Sequence, residues 1–272
     1  MNEQLTSLQP TLVWAYFKEI LDIPRPSKKE EQIIAYLLDF GKKQDLETLQ
    51  DEIGNVLIRK PATPGFENRR SVVLQSHVDM VCEKNSDKVH DFEKDPIETY
   101  NKDGWVYANG TTLGADDGIG IAAQLALLAS TDIEHGPIEC LFTVDEETGL
   151  TGAFELKPNF LKSDILLNLD SEDEGELYIG CAGGVDGNID LPYTKENAPA
   201  GTKAFKFNVK GLKGGHSGMD IILGRGNSNI ILFRVLKQAL AKFDVRLASI
   251  VGGSLRNAIP RESFAVVIVP EN

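Results

Sequence analysis

The chain has 272 residues, 42% of them hydrophobic and 25% charged, which describes a well-packed soluble protein of one large or two ordinary domains. A formal net charge of −13 argues against nucleic acid and anionic membrane as partners, because both need a basic face. Cys82, Cys140 and Cys181 lie far apart and outside any CxxC spacing, so they read as reduced thiols; with no export signal and no membrane-length apolar run, the expected compartment is the cytoplasm.

Leu12 to Leu21 carries Val13, Tyr16, Phe17, Ile20 and Leu21 at helical spacing after Pro10, which suits a helix start. Ser27 and Glu30 have the spacing of a capping box for a second helix, whose apolar stripe is Ile33, Ile34, Leu37 and Leu38. Strands are expected at 46–49 and 55–59, separated by a turn at 51–54. Ser71 to Gln75 is a short β-branched run of the kind that forms a buried strand, and Ser76-His77-Val78-Asp79 follows it directly. Strand alternation points His77 and Asp79 the same way, so the carboxylate can hold the imidazole. The charged stretch 81–110 follows, with an exposed His90 and a hairpin near Trp105 and Tyr107.

Thr111 to Gly120, TTLGADDGIG, sets Asp116 and Asp117 in a Gly-rich turn that opens an Ala- and Leu-rich helix reaching about Ser130. An Asp pair at a helix N-terminus is an ordinary cap, and its neighbours must decide whether it is more. Pro137 to Val144 reads as a second buried strand ending on Asp145-Glu146-Glu147, and Ile165 to Leu169 as a third, ending on Asp170. Acids at the ends of three buried strands are costly without a counter-ion. Carboxylates and imidazole are the donors that zinc and similar divalent cations accept. The Glu146/Glu147 pair is expected to split its roles, since adjacent side chains point apart.

Glu176 to Gly180 reads as an edge strand, Val185 to Leu191 alternates, and Lys195 to Gly201 reads as a linker or turn. From Thr202 the pattern is strand, Gly-rich loop (KGGHSGMD), helix at 227–243, strand, loop, strand. That β-α-β-β order is an open ferredoxin-like sandwich without its last helix and strand.

Together HVDM (77–80), LGADDGIG (113–120), DEETG (145–149), NLD (168–170) and GGHSG (214–218) resemble the M20 co-catalytic metallopeptidases of the carboxypeptidase G2, PepV and aminoacylase type. The likeness is strongest to the branch that cleaves aminoacyl-histidine dipeptides. It implies an α/β fold: a mixed-sheet, phosphorylase/hydrolase-like catalytic domain over 1–186 and an inserted ferredoxin-like α+β lid, used in dimerisation, over 187–272. It implies two divalent metal ions, zinc first with manganese or cobalt as alternatives. His77 and Asp170 would bind one metal, Glu147 the other, and Asp116 would bridge them through a cis-linked neighbour, Asp117. Glu146 would be the general base for a metal-bridged hydroxide and Asp79 would orient His77. His216 would meet the scissile carbonyl or its oxyanion, and Asn257 would contact the substrate carboxylate.

The implied activity is a dipeptidase for Xaa-His and other dipeptides. The same centre would also serve an N-acyl-amino-acid amidohydrolase or an aminopeptidase. The resemblance further implies a terminal His ligand from a C-terminal part of the catalytic domain, and no His follows His216. The chain therefore reads as a fragment, the product of a truncated gene, or one part of a protein whose remainder lies on another chain, and as not fully active alone; an inactive fragment acting only in binding or dimerisation is the alternative of another class.

Overall fold

In a computed structural model, which describes residues 2–85, 87–171, 173–180, 183, 185 and 187–271, the chain divides into two units, Met1–Gly183 and Gly184–Asn272. Cys181 lies outside the described residues.

After a 3-10 turn at Glu3–Ser7, the first unit continues with α1 (Thr11–Leu21) and α2 (Glu31–Lys43), which bury Phe17, Ile20 and Leu21, and Ile33, Leu37 and Phe40, respectively. The predicted capping box does not form. No side chain caps α2; instead the Ser27 hydroxyl donates to Asp79 Oδ2 at 2.7 Å and Glu30 Oε1 accepts the Asp145 N–H at 3.0 Å. Both groups find buried partners from other elements, against which a solvated local cap cannot compete.

β1 (Glu47–Gln50) and β2 (Val56–Lys60) form an antiparallel pair, β3 (Val72–His77) follows, and β4 (Thr99–Lys102) and β5 (Trp105–Ala108) make the hairpin. His90, expected to be exposed, is buried: its ring stacks edge-on against Phe92 with centroids 4.4 Å apart. The charged flanks turn outward while the aromatic pair packs inward. Next come α3 (Ala115–Ala129), β6 (Ile138–Thr143), the single turns α4 (Glu146–Gly149) and α5 (Thr151–Phe154), and β7 (Ile165–Asn168).

The sheet runs β1-β2-β6-β3-β7, with β3 parallel to both β6 and β7 and the β1, β2 side antiparallel. Every residue of β6 is buried, as expected of a central strand covered on both faces. Its one charge, Glu139, is paired with Arg59 Nε at 2.8 Å. The core joins Ile20, Ile33, Leu37, Val56, Ile58, Ile121, Leu125, Cys140 and Phe142, so α3 is clamped to the sheet by its own apolar side. β7 is not the buried strand its composition suggests. Among the described residues it pairs only with β3, and Leu166 and Leu167 are 51% and 44% exposed. Nor does a strand form at 176–180 or among the described residues of 185–191. An extended segment without a ladder partner is not held as a strand.

The second unit contains β8 (Thr202–Val209), β9 (Gly215–His216), α6 (Ser228–Lys242), β10 (Arg246–Gly252), β11 (Ala258–Ile259) and β12 (Ser263–Pro270). Asn227 caps α6 by accepting the Ile230 N–H at 3.1 Å. The sheet order β10-β12-β8 is antiparallel throughout, and Leu232 and Leu236 pack with Ala265 and Val267 beneath the helix. This is the open β-α-β-β arrangement expected from the pattern.

Candidate metal centre

Parallel strands β3, β6 and β7 end on the same side of the sheet, the side where open α/β folds place ligands. His77 closes β3, Glu146 and Glu147 begin α4 just beyond β6, and Asp170 stands two residues past β7. The N-terminus of α3 adds Asp116 and Asp117, whose backbone departs from helical geometry and whose linking peptide bond is cis.

His77 Nε2 lies 2.8 Å from Asp116 Oδ1 and 3.8 Å from Asp170 Oδ1. On the other ring nitrogen, Nδ1 lies 3.1 Å from the Asp79 carbonyl and 3.3 Å from its Oδ1. Asp79 is wholly buried and also accepts the N–H groups of Glu146 at 2.9 Å and Glu147 at 3.2 Å. Two donor sets share His77, each with its atoms within 4.8 Å of one another: His77 with Asp116 and Asp170, and His77 with Glu146 and Glu147. One carboxylate oxygen of each glutamate lies within 4.8 Å of the other's and of a His77 ring nitrogen. The two glutamates occupy a helical turn, where neighbours diverge far less than along a strand.

The acids crowd one another. Burial, then the charge of Asp116, pushes Asp170 up to about 8 and Glu147 up to about 7. Glu146 is raised chiefly by burial, and Asp117 is pushed to about 7 by burial and by Asp116. Burial would lower His77, but hydrogen bonds to Asp116 and Asp79 outweigh it and carry the imidazole up to about 11. The bond to His77 holds Asp116 below its usual range. Burial raises Asp79, but His77, Ser27 and the Glu146 N–H together bring it below its usual range. So many carboxylates around one imidazole retain protons unless a cation replaces them. One imidazole and several carboxylates fit a hard or borderline divalent ion.

His216 and Asn257 lie in the second unit. β9 pairs with β11, and the Ser217 N–H donates to the Asn257 carbonyl at 2.8 Å, which makes the two loops neighbours. His216 is exposed, and its Nδ1 accepts the N–H groups of Gly218 at 3.1 Å and Met219 at 3.2 Å. Beside it a cavity of about 480 Å³ is lined by Ser217, Asn227, Asn229, Ser254 and Arg256, among others.

A family model described as "Peptidase family M20/M25/M40" matches residues 73–220, and one described as "Peptidase dimerisation domain" matches 207–272. The chain belongs to peptidase family M20/M25/M40. Similar proteins include the cytosol non-specific dipeptidase of Escherichia coli K12, 52% identical over 266 residues that cover 98% of this chain and 55% of that protein. The crystal structure of aminoacylhistidine dipeptidase from Vibrio alginolyticus shares 51% identity at a TM-score of 0.66, covering 98% of this chain and 54% of that one. Aminopeptidase PepT from Bacillus cereus shares the fold at 22% identity and a TM-score of 0.50, with 94% and 65% covered. This M20 chain thus spans about half the length of the curated dipeptidase it matches. Among the described residues no helix is long and apolar enough to cross a membrane.

One group beside this candidate centre carries no sequence signal of its own. Arg25 is 2% exposed and donates to the main-chain carbonyls of Val78, Asp79 and Gly114. Its surroundings, IPRPS, show neither periodicity nor a metal-ligand spacing. The only local hint is the pair of prolines that keeps the segment extended.

Proposed function

We propose that the chain is the metal-binding part of a cytoplasmic dipeptidase that hydrolyses Xaa-His and other dipeptides. The observation that carries this reading is a single imidazole, His77, shared by two acidic donor sets. His77 and Asp170 would hold one divalent ion and Glu147 the other, with Asp116 between them. Zinc suits these donors best, and manganese and cobalt also suit them. When bound, such ions supply Lewis-acid polarisation of the scissile carbonyl and acidify water.

The remaining chemistry belongs to the chain. Glu146, raised chiefly by burial, would take a proton from the attacking water and return it to the leaving amine. Asp79 fixes the His77 ring and, through two main-chain N–H bonds, the turn that carries Glu146 and Glu147. In the second unit, His216 Nδ1 already accepts two N–H bonds, which leaves Nε2–H as a donor for the scissile carbonyl oxygen or its oxyanion. Asn257 would contact the substrate carboxylate. The first unit would be catalytic. The second would serve as lid and dimerisation surface, a role supported by the matching family model and by exposed Ile230, Phe233 and Leu240 on α6.

Glu146→Gln in the full-length protein is expected to abolish turnover with metal retained, and substantial residual hydrolysis would overturn the assignment. Rates on Ala-His, an acetyl-amino acid and a tripeptide distinguish a dipeptidase from an amidohydrolase or aminopeptidase. Two tight zinc equivalents per chain support the enzyme, and one or none supports a binding fragment.

A further inference from the structure

Arg25 is the bulkiest of the fully buried side chains among the described residues, and a buried guanidinium needs acceptors for its donors. Its nearest ones are main-chain carbonyls. Nη1 donates to Val78 at 3.0 Å and to Asp79 at 2.8 Å, and Nη2 donates to Gly114. The first two follow His77 at the end of β3; the third stands two residues before Asp116 at the start of α3. One planar group thus spans the two segments whose side chains meet at His77 Nε2 and Asp116 Oδ1, 2.8 Å apart.

The backbone of Arg25 is anchored to the same strand extension. The Met80 N–H donates to the Arg25 carbonyl at 3.2 Å, Pro26 bridges to Met80, and Ser27 donates to Asp79. The Gly-rich motif makes room for the guanidinium. A Cβ at Gly114 would stand 2.7 Å from Nη2, and one at Gly118 would stand 2.6 Å from it. Burial lowers Arg25 to about 10, with Asp79 and Asp117 opposing the shift, so it is a cation at neutral pH behind the acidic cluster.

We propose that Arg25 is a positioning residue of the metal centre, a fork that sets the spacing between the strand end bearing His77 and Asp79 and the helix start bearing Asp116. Its guanidinium bonds go to main-chain carbonyls and not to the side chains that would hold metal. It acts through three carbonyls, and a lysine, with charge but no planar fork, cannot reproduce it. The proposal rests on the metal-centre reading above.

The test is metal binding by the 272-residue chain, with Co2+ titrated into chelator-treated protein and followed by its visible spectrum, and Zn2+ measured by competition. Arg25→Lys is expected to weaken binding by about 10- to 100-fold, the range for loss of a ligand-orienting partner, and to alter the Co2+ band intensities. Arg25→Gln is expected to weaken binding at least as much. Gly118→Ala keeps the arginine and its charge but crowds Nη2, and in a helix this change is otherwise stabilising; it is expected to weaken binding in the same direction. Near-UV circular dichroism checks that each variant folds, and Gly118→Ala carries the test if Arg25→Lys does not. Wild-type affinity and spectrum in folded Arg25→Lys overturn the positioning role, including the case where only Arg25→Gln is impaired and charge alone matters. Absence of metal binding by the wild-type chain is a distinct result that overturns the metal-centre reading and the inference with it.

Discussion

Asp79 Oδ1 accepts the main-chain N–H of Glu146 at 2.9 Å, and through this bond the end of β3 is tied to the turn that follows β6. The same carboxylate accepts from Glu147 N–H and from Ser27, and stands 3.3 Å from His77 Nδ1. Asp79→Asn puts an NH2 group where one of these donors now points, leaving a buried N–H or hydroxyl without its acceptor. A loss of about 1 to 3 kcal/mol in stability is expected, with metal affinity reduced by about 10- to 100-fold. Urea unfolding and zinc titration measure the two effects. Wild-type values in both would mean that this hub carries no energy.

Metal binding is expected to release protons. At neutral pH His77, held at about 11, is protonated, Asp170 near 8 is mostly so, and Glu147 near 7 is about half protonated. A bound cation requires all three deprotonated. Apparent affinity should therefore rise between pH 6 and 9, and the heat of binding at pH 7 should depend on the ionisation enthalpy of the buffer. The metal-free chain follows the opposite sense. His77 contributes stability that is fully present below its unfolded value of about 6.5 and is lost as pH rises toward about 11. Raised Asp170 destabilises the fold increasingly as pH climbs from about 3.9 through about 8, because the folded state binds more protons. Thermal unfolding of the metal-free chain should thus fall in Tm from pH 6 to 9, and saturating zinc should flatten or reverse the slope.

The strand-end groups are legible because SVVLQ and PIECLFTV are short apolar runs with His77 and Glu146 two residues beyond them. A central strand announces both its burial and its end in local composition. β7 has the same composition, yet Leu166 and Leu167 are exposed, since burial depends on which neighbours the sheet supplies. His90 is buried against expectation for a related reason: its charged flanks set the local pattern, while its burial comes from packing with Phe92. Arg25 was invisible because carbonyls 53 and more residues away in sequence define its environment. Strand alternation does not bear on how Glu146 and Glu147 divide their roles, because the pair occupies a helical turn.

Ser27→Ala separates two readings of one residue. As a helix cap, its loss would fray α2. In the structure its hydroxyl instead completes the bonding of Asp79 at 2.7 Å. The variant is expected to keep wild-type helix content by far-UV circular dichroism and to lose about 1.5 to 3 kcal/mol in stability, as for a bond to a charged group, with a weaker zinc affinity. Reduced helix content at unchanged zinc affinity would restore the capping role.

Gly152→Ala tests how firmly the Glu146/Glu147 turn is held from behind. A Cβ there would lie 2.3 Å from Asn55 Oδ1 and 2.6 and 2.7 Å from the main-chain N and O of Val144. Two of these are backbone atoms of the residue that leads from β6 into the turn, so rotating a side chain cannot relieve the contact. Asn55 is fully buried; it donates to the Gly152 carbonyl at 2.9 Å and accepts the Val144 N–H at 3.1 Å. Displacing α5 would break the Asn55 bond to the Gly152 carbonyl and the 3.0 Å bond from the Gly152 N–H to the Val144 carbonyl at once. The expected cost is about 1 to 3 kcal/mol or more, as for overpacking in a close-packed core, read as a lower Tm. Zinc affinity should fall with it, because Val144 stands two residues before Glu146. Wild-type Tm and zinc affinity in Gly152→Ala would show that the turn is positioned by Asp79 alone.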